Sequence, residues 1–268
     1  MQLGTVAQCW CYPFKSMQGA SVSSLDIGTH GVAGDRAYAL MDCATGTVLS
    51  AKAVKRLLDA AADDQQVVLP DGTVVALGSP DCDELLSAWL GRDVTVLHLE
   101  QGEVPEPGLA YEMTFDPPDD DAEMFEIPLP AHGFVDLAPL HLIATSTLEG
   151  CRAARPELDW DVRRFRPNVV LDHDGETFAE DAWVGSRLAI GASCVVAVVQ
   201  PTVRCAMPLR AQPAGPDGAA LERQPALFAA MNELHSSAPN HLGAYLDVVA
   251  PGPVRVGDPV VLLDAESA

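Results

Sequence analysis

The chain has 268 residues, of which 48% are hydrophobic and 20% charged, as expected for a globular protein with a well-filled core. Its 38 acidic and 16 basic residues give a formal net charge of -22, and such a surface repels nucleic acid and anionic lipid. We therefore do not expect a nucleic-acid-binding or membrane-surface protein.

The first residues, MQLGTVAQCWCYPFKS, lack the basic segment and apolar core of a signal peptide. No apolar run in the chain reaches the roughly 18 residues that span a bilayer, so we expect a cytoplasmic protein. The seven cysteines are an odd number at irregular spacing, which argues against a disulfide scaffold. Most of them are expected to be buried thiols.

Residues 1–100 are predicted to form mainly short strands separated by turn signals, and such a pattern indicates a small barrel or sandwich. The predicted strands cover 3–11, 20–27, 36–42, 46–50, 66–69 and 73–77. One helix is expected over about 81–91, capped by Asp81 or Asp83 and ended by Gly91. Its buried face is predicted to carry Leu85, Leu86 and Trp89.

Residues 101–133 are rich in proline and acidic side chains. This composition predicts a linker or an irregular loop between two parts of the chain. The acidic run PDDDAE lacks the turn glycine and the glutamate of a calcium loop, so we interpret it as a solvated charge run.

Residues 134–265 are predicted to form a second β-rich part with a few helices. Its predicted strands cover 168–172, 187–190, 194–200, 244–249 and 259–263. Ser146 and Glu149 fit a capping box, in which a hydroxyl and a carboxylate satisfy two free amides at a helix start. A further helix is expected near 219–234, because Leu227 and Met231 belong to an apolar face there.

Six of the sixteen basic residues stand beside turn-forming residues, where a loop presents charge to a ligand. They are Lys15, Arg36, Arg163, Arg164, Arg166 and Arg204. A guanidinium suits phosphate because it donates two parallel hydrogen bonds. Pairing with a carboxylate explains any single arginine equally well, but the set favours a polyanionic ligand.

Cys205 differs from the other cysteines because Arg204 precedes it. A neighbouring positive charge stabilises the thiolate, which is the form that binds metals or acts as a nucleophile. From the residues alone, Cys205 is either a reactive thiol or a structural one. Ser146 and Thr147 stand at a predicted helix start, where a cap and a bound anion are compatible interpretations.

Other chemical signatures are weak or missing. His141, His235 and His241 follow no metal-binding spacing, and we interpret them as ordinary surface or core histidines. No GxGxxG, Walker A or GxSxG string occurs in the sequence. A Rossmann enzyme, a P-loop NTPase and a serine hydrolase are therefore not indicated.

Six strings occur in a fixed order along nearly the whole chain: YPFKSMQG, GVAGDRAYAL, VRRFRPNVV, FAEDAWVG, PTVRC and PGPVRVGDPVVLL. This combination resembles the MOSC family, which includes the mitochondrial amidoxime-reducing components and their bacterial counterparts. The resemblance implies a mainly β fold with a few helices. In that fold a β-barrel MOSC domain packs on a smaller N-terminal β-barrel-like domain.

The resemblance also implies a molybdenum pyranopterin cofactor, with Cys205 as the metal ligand and as the catalytic residue. The residues that it implies for cofactor binding are Lys15, Ser16, Arg36, Ser146, Thr147, Arg164, Arg166, Asn168 and Arg204. The implied activity is reduction of an N-hydroxylated small molecule. No ferredoxin cysteine cluster is present, so the electrons would come from a separate haem, flavin or iron–sulfur protein.

The sequence departs from the family after the cysteine, where it reads CAMPLRAQP. Pro208 and Leu209 stand where many relatives have a threonine pair, so the substrate could differ or the metal could be lost. Two alternatives remain open at this point. One is a sulfur carrier or sulfurtransferase that accepts a persulfide on Cys205 from a cysteine desulfurase. The other is a non-catalytic cofactor-binding accessory protein.

Overall fold

The computed structural model describes residues 1–100, 103–113, 125–131, 133–215 and 217–263. The strands in these ranges are β1 (Gln2–Cys11), β2 (Ala20–Val22), β3 (Ser24–Gly28), β4 (Gly31–Val32), β5 (Tyr38–Asp42), β6 (Ala61–Ala62), β7 (Gln66–Val68), β8 (Val74–Ala76), β9 (Val94–His98), β10 (Ala110–Met113), β11 (Phe125–Pro128), β12 (Leu140–Ala144), β13 (Val169–Asp172), β14 (Arg187–Ile190), β15 (Cys194–Val203), β16 (His241–Ala250), β17 (Gly252–Arg255) and β18 (Pro259–Leu263). The α-helices are α1 (Cys82–Leu90), α2 (Thr145–Ala154) and α3 (Ala226–Leu234). Short 3-10 helices cover Lys55–Asp59, Val162–Arg164, Ala179–Trp183 and Met207–Leu209.

Seven strands close a β-barrel. They pair in the order β13-β12-β16-β15-β14-β18-β1, and β1 pairs again with β13, so the ring has no free edge. The pairs are antiparallel except for β12 and β13, which run parallel. The closing register places Cys9 opposite Val169. The predicted mainly β fold with a few helices is confirmed.

Aliphatic side chains fill the barrel, with Trp183 as an aromatic member of that core. β15 shows why the sequence forms these strands: Cys194, Val196 and Val198 are buried, whereas the residues between them are half-buried. Alternate residues of a strand point to opposite faces, so a valine-rich run with this period presents one apolar face inward. Burying each large aliphatic side chain contributes about 1.5–3 kcal/mol.

The N-terminal part builds a second core beside the barrel. β5 pairs with β9, β6 to β8 form a meander, and α1 packs against them. The predicted helix is confirmed: Leu86 and Trp89 are buried, and Gly91 ends α1 with a φ of 69°. Met207 and Cys205 also contact this core, so the C-terminal part contributes to it.

Part of the segment 101–133 is regular, which corrects the expected irregular loop. β10 and β11 form an antiparallel pair in which Tyr111 lies opposite Ile127. Tyr111 is fully buried in a small core with Phe134. The acidic run PDDDAE, residues 118–123, lies outside the described residues. The predicted domain boundaries stay a prediction, but the structure shows that β1 of the N-terminal part is a barrel strand.

The predicted capping box is wrong. α2 begins at Thr145, one residue before the predicted cap, and its N-cap residue Ala144 makes no side-chain capping bond. Ser146 lies inside the first turn, and its hydroxyl donates to the Glu176 carbonyl oxygen at 3.2 Å. The hydroxyl is therefore used for a tertiary contact.

Two further boundaries differ from prediction. α3 begins at Ala226 rather than near 219, because the chain at Leu221 pairs with Gln212 as a β-bridge and Pro225 precedes the helix. The strand expected over 46–50 is reduced to bridges at Val48. The local pattern of apolar residues predicted a helix and a strand in these segments. Contacts with distant parts of the chain set where the regular structure begins and ends.

Gly243 in β16 has no room for a side chain. Its φ is 82°, and a Cβ there would lie 2.4 Å from Nε2 of His141 and 2.6 Å from the Leu142 carbonyl oxygen. We expect Gly243→Ala to lower the free energy of unfolding by about 3 kcal/mol, since backbone strain and overpacking each cost about 1–3 kcal/mol. Gly46→Ala is the matched control because Gly46 has a φ of 73° but no atom within 4 Å. Equal losses for the two variants in urea denaturation would contradict the packing argument.

Candidate functional site

A cavity of about 180 Å³ lies where the two parts of the chain meet. Seven of the ten residues predicted as site residues line it. They are Lys15, Ser16, Arg36, Arg166, Asn168, Arg204 and Cys205. The structure thus brings together residues far apart in sequence, although their roles toward a ligand stay predictions.

Ser146, Thr147 and Arg164 are not among the lining residues. The Thr147 hydroxyl donates to Oε2 of the buried Glu180 at 2.6 Å. Arg164 is fully buried, and its guanidinium donates to Oδ2 of Asp159 at 2.8 Å and to the Pro208 carbonyl oxygen at 3.1 Å. Protein partners therefore account for the burial of these side chains, and Arg164 holds the segment that follows Cys205.

Asn168 ties together the strand ends at the cavity. It is 1% exposed, its Oδ1 accepts from the His141 amide at 3.2 Å, and its Nδ2 donates to the Trp10 carbonyl oxygen at 3.4 Å. The Trp10 amide in turn donates to the Asn168 carbonyl oxygen at 2.9 Å. The side-chain amide thus links β1, β12 and the start of β13, which makes Asn168 a positioning residue in this structure.

The cavity wall has an unusual backbone. Within the described ranges, five non-glycine residues have a positive φ, and four of them line the cavity. These four are Ser16 (68°), Arg36 (47°), Arg166 (54°) and Asn240 (63°). A side chain in this region costs of order 1–3 kcal/mol, and such residues concentrate at functional sites.

Two guanidinium groups lie over one aromatic ring. The Cζ atoms of Arg36 and Arg166 lie 4.5 Å and 4.2 Å from the ring centroid of Tyr12. Asp35 pairs with Arg36, and its other oxygen accepts from the Tyr12 amide at 2.7 Å. Burial, and then the charge of Arg36, lower the pKa of Arg166 to about 10. Both guanidinium groups therefore contact the ring of Tyr12, and the fold brings two like charges close together.

Two ammonium groups share one carboxylate. Nζ of Lys15 lies 2.6 Å from Oδ1 of Asp136, and Nζ of Lys52 lies 2.7 Å from its Oδ2. Both ammonium groups lie over the ring of Tyr111, at 4.4 Å and 5.0 Å from its centroid. Burial alone would raise the pKa of Asp136, but the two lysines outweigh burial and lower it. Burial lowers the pKa of Lys15.

Cys205 follows the end of β15 and is partly exposed at the cavity wall. Its neighbour Arg204 is 7% exposed, and Nη2 of that guanidinium donates to the Phe165 carbonyl oxygen at 2.8 Å. Burial disfavours the Lys52 ammonium, but Asp136 and then Cys205 raise the pKa of Lys52. The thiol therefore faces cations from both parts of the chain.

Sequence reasoning missed several lining residues. These include Ser50, Lys52, Asp136, Asn240 and Tyr245. None carries a local motif: Tyr245 lies within β16, and the other four lie in turns or irregular segments that only the tertiary fold brings to the cavity. His141 was interpreted as an ordinary histidine. It is a buried lining residue, and burial followed by the charge of Arg204 holds its pKa well below its usual value.

The cavity is strongly cationic. Among the described residues, its lining holds three arginines and two lysines but one carboxylate, that of Asp136, in a chain whose net charge is -22. The low dielectric constant of the protein wall strengthens the positive electrostatic potential inside the cavity. The arrangement therefore favours an anionic ligand. Three lining residues each have one buried polar atom without a hydrogen-bond partner within the described part of the chain: Nε2 of His141, Nε of Arg204 and Oδ1 of Asn240.

No cluster of three or more His, Cys, Asp or Glu side chains that could hold a metal ion occurs among the described residues. No helix within the described ranges combines the length and the apolar character that crossing a membrane requires.

Known proteins match both parts of the chain. The MOSC domain family matches residues 130–261, and the MOSC N-terminal beta barrel domain family matches residues 3–92. Mitochondrial amidoxime-reducing component 1 is 25% identical in Mus musculus and 24% in Homo sapiens, over 98% of this chain and 83% and 84% of those proteins. The solved structure of YUAD protein from Bacillus subtilis aligns over 96% of this chain and 93% of that chain, with 9% identity and a TM-score of 0.42.

The shared carboxylate provides a test of the cationic wall. We expect Asp136→Asn to lower the free energy of unfolding by about 1–2 kcal/mol, because two buried ammonium groups lose a charged partner. This carboxylate is 36% exposed, and solvent screens part of the attraction. In a Lys52→Met background the same substitution should cost less, since one ammonium is already gone.

The pH dependence of this effect follows from the lowered pKa of Asp136. The carboxylate stabilises the fold fully above its ordinary value of 3.8, and the contribution is lost as pH falls below that value. Denaturation curves of wild type and Asp136→Asn should therefore converge in acid. A constant difference between them would contradict this account.

Proposed function

Because the chain belongs to the MOSC family and carries the MOSC N-terminal β-barrel domain, we propose that its cavity binds a molybdenum pyranopterin cofactor. In this proposal Cys205 supplies the protein ligand of the metal, and the chain is an oxidoreductase that reduces N-hydroxylated small molecules. The substrate class is suggested by the relatives, which are named amidoxime-reducing components.

The observation that carries the proposal is the cation-lined cavity beside a partly exposed thiol. Lys15, Arg36 and Arg166 face one volume although the whole chain is strongly acidic. Concentrating like charges costs free energy unless a ligand compensates them. A phosphate-bearing cofactor would do so, because guanidinium groups donate paired hydrogen bonds to phosphate oxygens.

The residues present fit such a group. Arg36 and Arg166 would hold an anionic phosphate, and the Lys15 ammonium would add a further donor. Cys205 would offer the soft sulfur ligand that molybdenum accepts. When bound, the metal centre would supply the electron transfer, and the chain's own residues bind, orient and shield the reacting group. Phe134 and Phe228 contribute apolar surface to the lining and would exclude water.

The proposed reaction is the reduction of an N–OH group to N–H with release of water. It consumes two electrons and two protons: the N–O bond breaks, nitrogen is reduced, and the oxygen leaves as water. We propose that the electrons come from a separate haem, flavin or iron–sulfur protein. Since this chain is strongly acidic, we expect that partner to approach with a basic face. A cytoplasmic location remains part of the same proposal.

The residues after Cys205 differ from those of many family members, and this difference bears on substrate choice. Pro208 and Leu209 are buried in a short 3-10 helix, and the Pro208 carbonyl oxygen accepts from the Arg164 guanidinium at 3.1 Å. This segment is therefore fixed beside the thiol rather than presenting two hydroxyl groups. We propose that the difference alters the substrate and leaves cofactor binding intact.

A second candidate function is sulfur transfer, favoured by the partial exposure of Cys205. A cysteine desulfurase would donate a sulfane sulfur to the thiolate, giving a Cys205 persulfide. Mass spectrometry after incubation with a desulfurase and cysteine distinguishes this function by an added sulfur atom on Cys205. A non-catalytic accessory role would give bound cofactor without turnover of either kind.

Metal content tests the proposal directly. In protein from a host with intact molybdopterin synthesis, we expect wild type to hold molybdenum and pterin, and Cys205→Ala to lose at least tenfold in molybdenum because its thiolate ligand is gone. Cys43→Ala is the control, since Cys43 is exposed and outside the cavity. Reduced methyl viologen and benzamidoxime then test turnover. Molybdenum retained in Cys205→Ala would refute the ligand assignment, and its absence from wild type would refute the proposed function.

A further inference from the structure

One carboxylate lies in the wall of the cationic cavity. Within the described part of the chain, Asp136 is the one acidic residue of a lining that also holds three arginines and two lysines. Its oxygens pair with two ammonium groups, Oδ1 with Nζ of Lys15 at 2.6 Å and Oδ2 with Nζ of Lys52 at 2.7 Å. These ion pairs explain how the two lysines tolerate burial. They leave open what the carboxylate does toward a ligand.

The three side chains differ in how much of their surface is accessible. Those of Lys15 and Lys52 are 4% and 2% exposed, whereas that of Asp136 is 36% exposed. All three residues line the cavity. The accessible charged group at this part of the wall is therefore the carboxylate rather than either ammonium group, so a ligand here meets a hydrogen-bond acceptor.

Asp136 has unused capacity to accept hydrogen bonds. An ionised carboxylate offers about four acceptor positions. Within the described residues, the two lysine ammonium groups are the donors to this side chain, and each reaches a different oxygen. Each oxygen thus keeps a position for a further donor. The backbone of Asp136 is also held in place, because the hydroxyl of the buried Tyr111 donates to its carbonyl oxygen at 3.1 Å.

The carboxylate stays ionised, and its charge reaches other parts of the cavity wall. Burial opposes the ionisation of Asp136, but the two lysines outweigh burial and hold its pKa below the ordinary value. Burial raises the pKa of Tyr245 to about 12, and the charge of Asp136 adds to that rise although Arg204 opposes it. Tyr245 lies in the barrel strand β16 and lines the same cavity. Asp136 therefore acts on the volume that these residues enclose.

An acceptor of this kind selects for a donor. The oxygens of an anion would face the oxygens of Asp136 with no proton between them, whereas an N–H or O–H group supplies that proton. The guanidinium groups of Arg36 and Arg166, which lie over Tyr12, provide the part of the wall that suits an anion. The wall thus has one part for an anionic group and another for a hydrogen-bond donor.

We propose that Asp136 is a substrate-binding residue whose carboxylate accepts N–H hydrogen bonds from the amino group of an amidoxime. This inference rests on the proposed function and names the substrate subclass of the same site. An amidoxime carries its amino group on the carbon of the C=N–OH unit, so the donor lies close to the N–O bond that is reduced. The site then prefers amidoximes with a free N–H over compounds in which the amino nitrogen is fully substituted.

A matched pair of probes isolates this contact. Benzamidoxime has amino N–H donors, whereas N,N-dimethylbenzamidoxime has the same ring and the same N–OH group but no amino N–H. The metal-free chain is titrated with each probe, and binding is followed by ligand-observed NMR. Wild type should bind benzamidoxime about tenfold more tightly, which is the size of one hydrogen bond to a charged group.

Substitutions separate a substrate contact from a structural role. Asp136→Asn should reduce the preference to about twofold or less by weakening benzamidoxime alone, because the charged acceptor is gone. If the methyl groups were merely excluded by their size, the preference would persist in this variant. Lys52→Met keeps the carboxylate and should keep the preference. Glu106→Gln is the matched control, since Glu106 is an exposed carboxylate outside the lining.

A second measurement uses molybdenum-loaded protein with reduced methyl viologen. Asp136→Asn should lower kcat/KM about tenfold for benzamidoxime and leave that for the dimethyl compound within about twofold of wild type. The inference is overturned if wild type binds the two probes equally or binds neither, if Asp136→Asn retains the preference, or if that variant weakens both probes alike. A preference shown by a wild type that holds no molybdenum supports the role of Asp136 and counts against the proposed function alone.

Discussion

Repulsion among five cations at one cavity is the constraint on which the site depends. Lys15, Lys52, Arg36, Arg166 and Arg204 line a single volume, and like charges a few ångströms apart in a low-dielectric wall repel strongly. Two kinds of contact reduce this repulsion. Carboxylates form ion pairs with three of the cations, and two tyrosine rings lie against cations of the set. The compensation is incomplete, which leaves an excess of positive charge for a ligand.

The fold supplies this arrangement because neither part of the chain could build it alone. β1 closes the barrel and then runs directly into Lys15 and Ser16, which places the first cations at the barrel rim. Cys205 leaves the barrel at the end of β15 and contacts the second core with Met207. The hydrogen bonds of Asn168 connect β1 with β12 and with the start of β13 beside the cavity. The strands that close the barrel therefore also position residues of the cavity wall.

The sequence predicted the parts of the site that local chemistry marks. A lysine after YPF, an arginine after GD and a cysteine after an arginine stand beside turns. Five of the residues that local chemistry marked line the cavity, namely Lys15, Arg36, Arg166, Arg204 and Cys205, whereas Ser16 and Asn168 were predicted from the family resemblance alone. Six of the seven barrel strands were also predicted, but β12 was not, because all five of its residues are buried and show no alternation. Resemblance to the MOSC family predicted the fold, and it predicted that these residues bind one cofactor. Composition and spacing alone could not predict either.

The remainder was not predictable from local pattern. Asp136 and Lys52 meet across 84 positions of sequence, and no spacing rule indicates that one carboxylate will serve two ammonium groups. The Ser146 capping box failed because a hydroxyl near a helix start has a competing tertiary acceptor, the Glu176 carbonyl oxygen. Asn240 carries its signal in a backbone angle, which only coordinates reveal.

Anion binding by the metal-free chain tests the central claim most directly. At constant ionic strength, pyrophosphate near a hundredfold over its Kd should raise the melting temperature of wild type by roughly 5 °C. Arg155→Gln, which alters a surface arginine paired with Glu157, should respond equally. Arg166→Asn, which keeps the left-handed backbone but removes a cavity cation, should lose most of the shift. No shift in wild type, or equal shifts in all three proteins, would contradict the account.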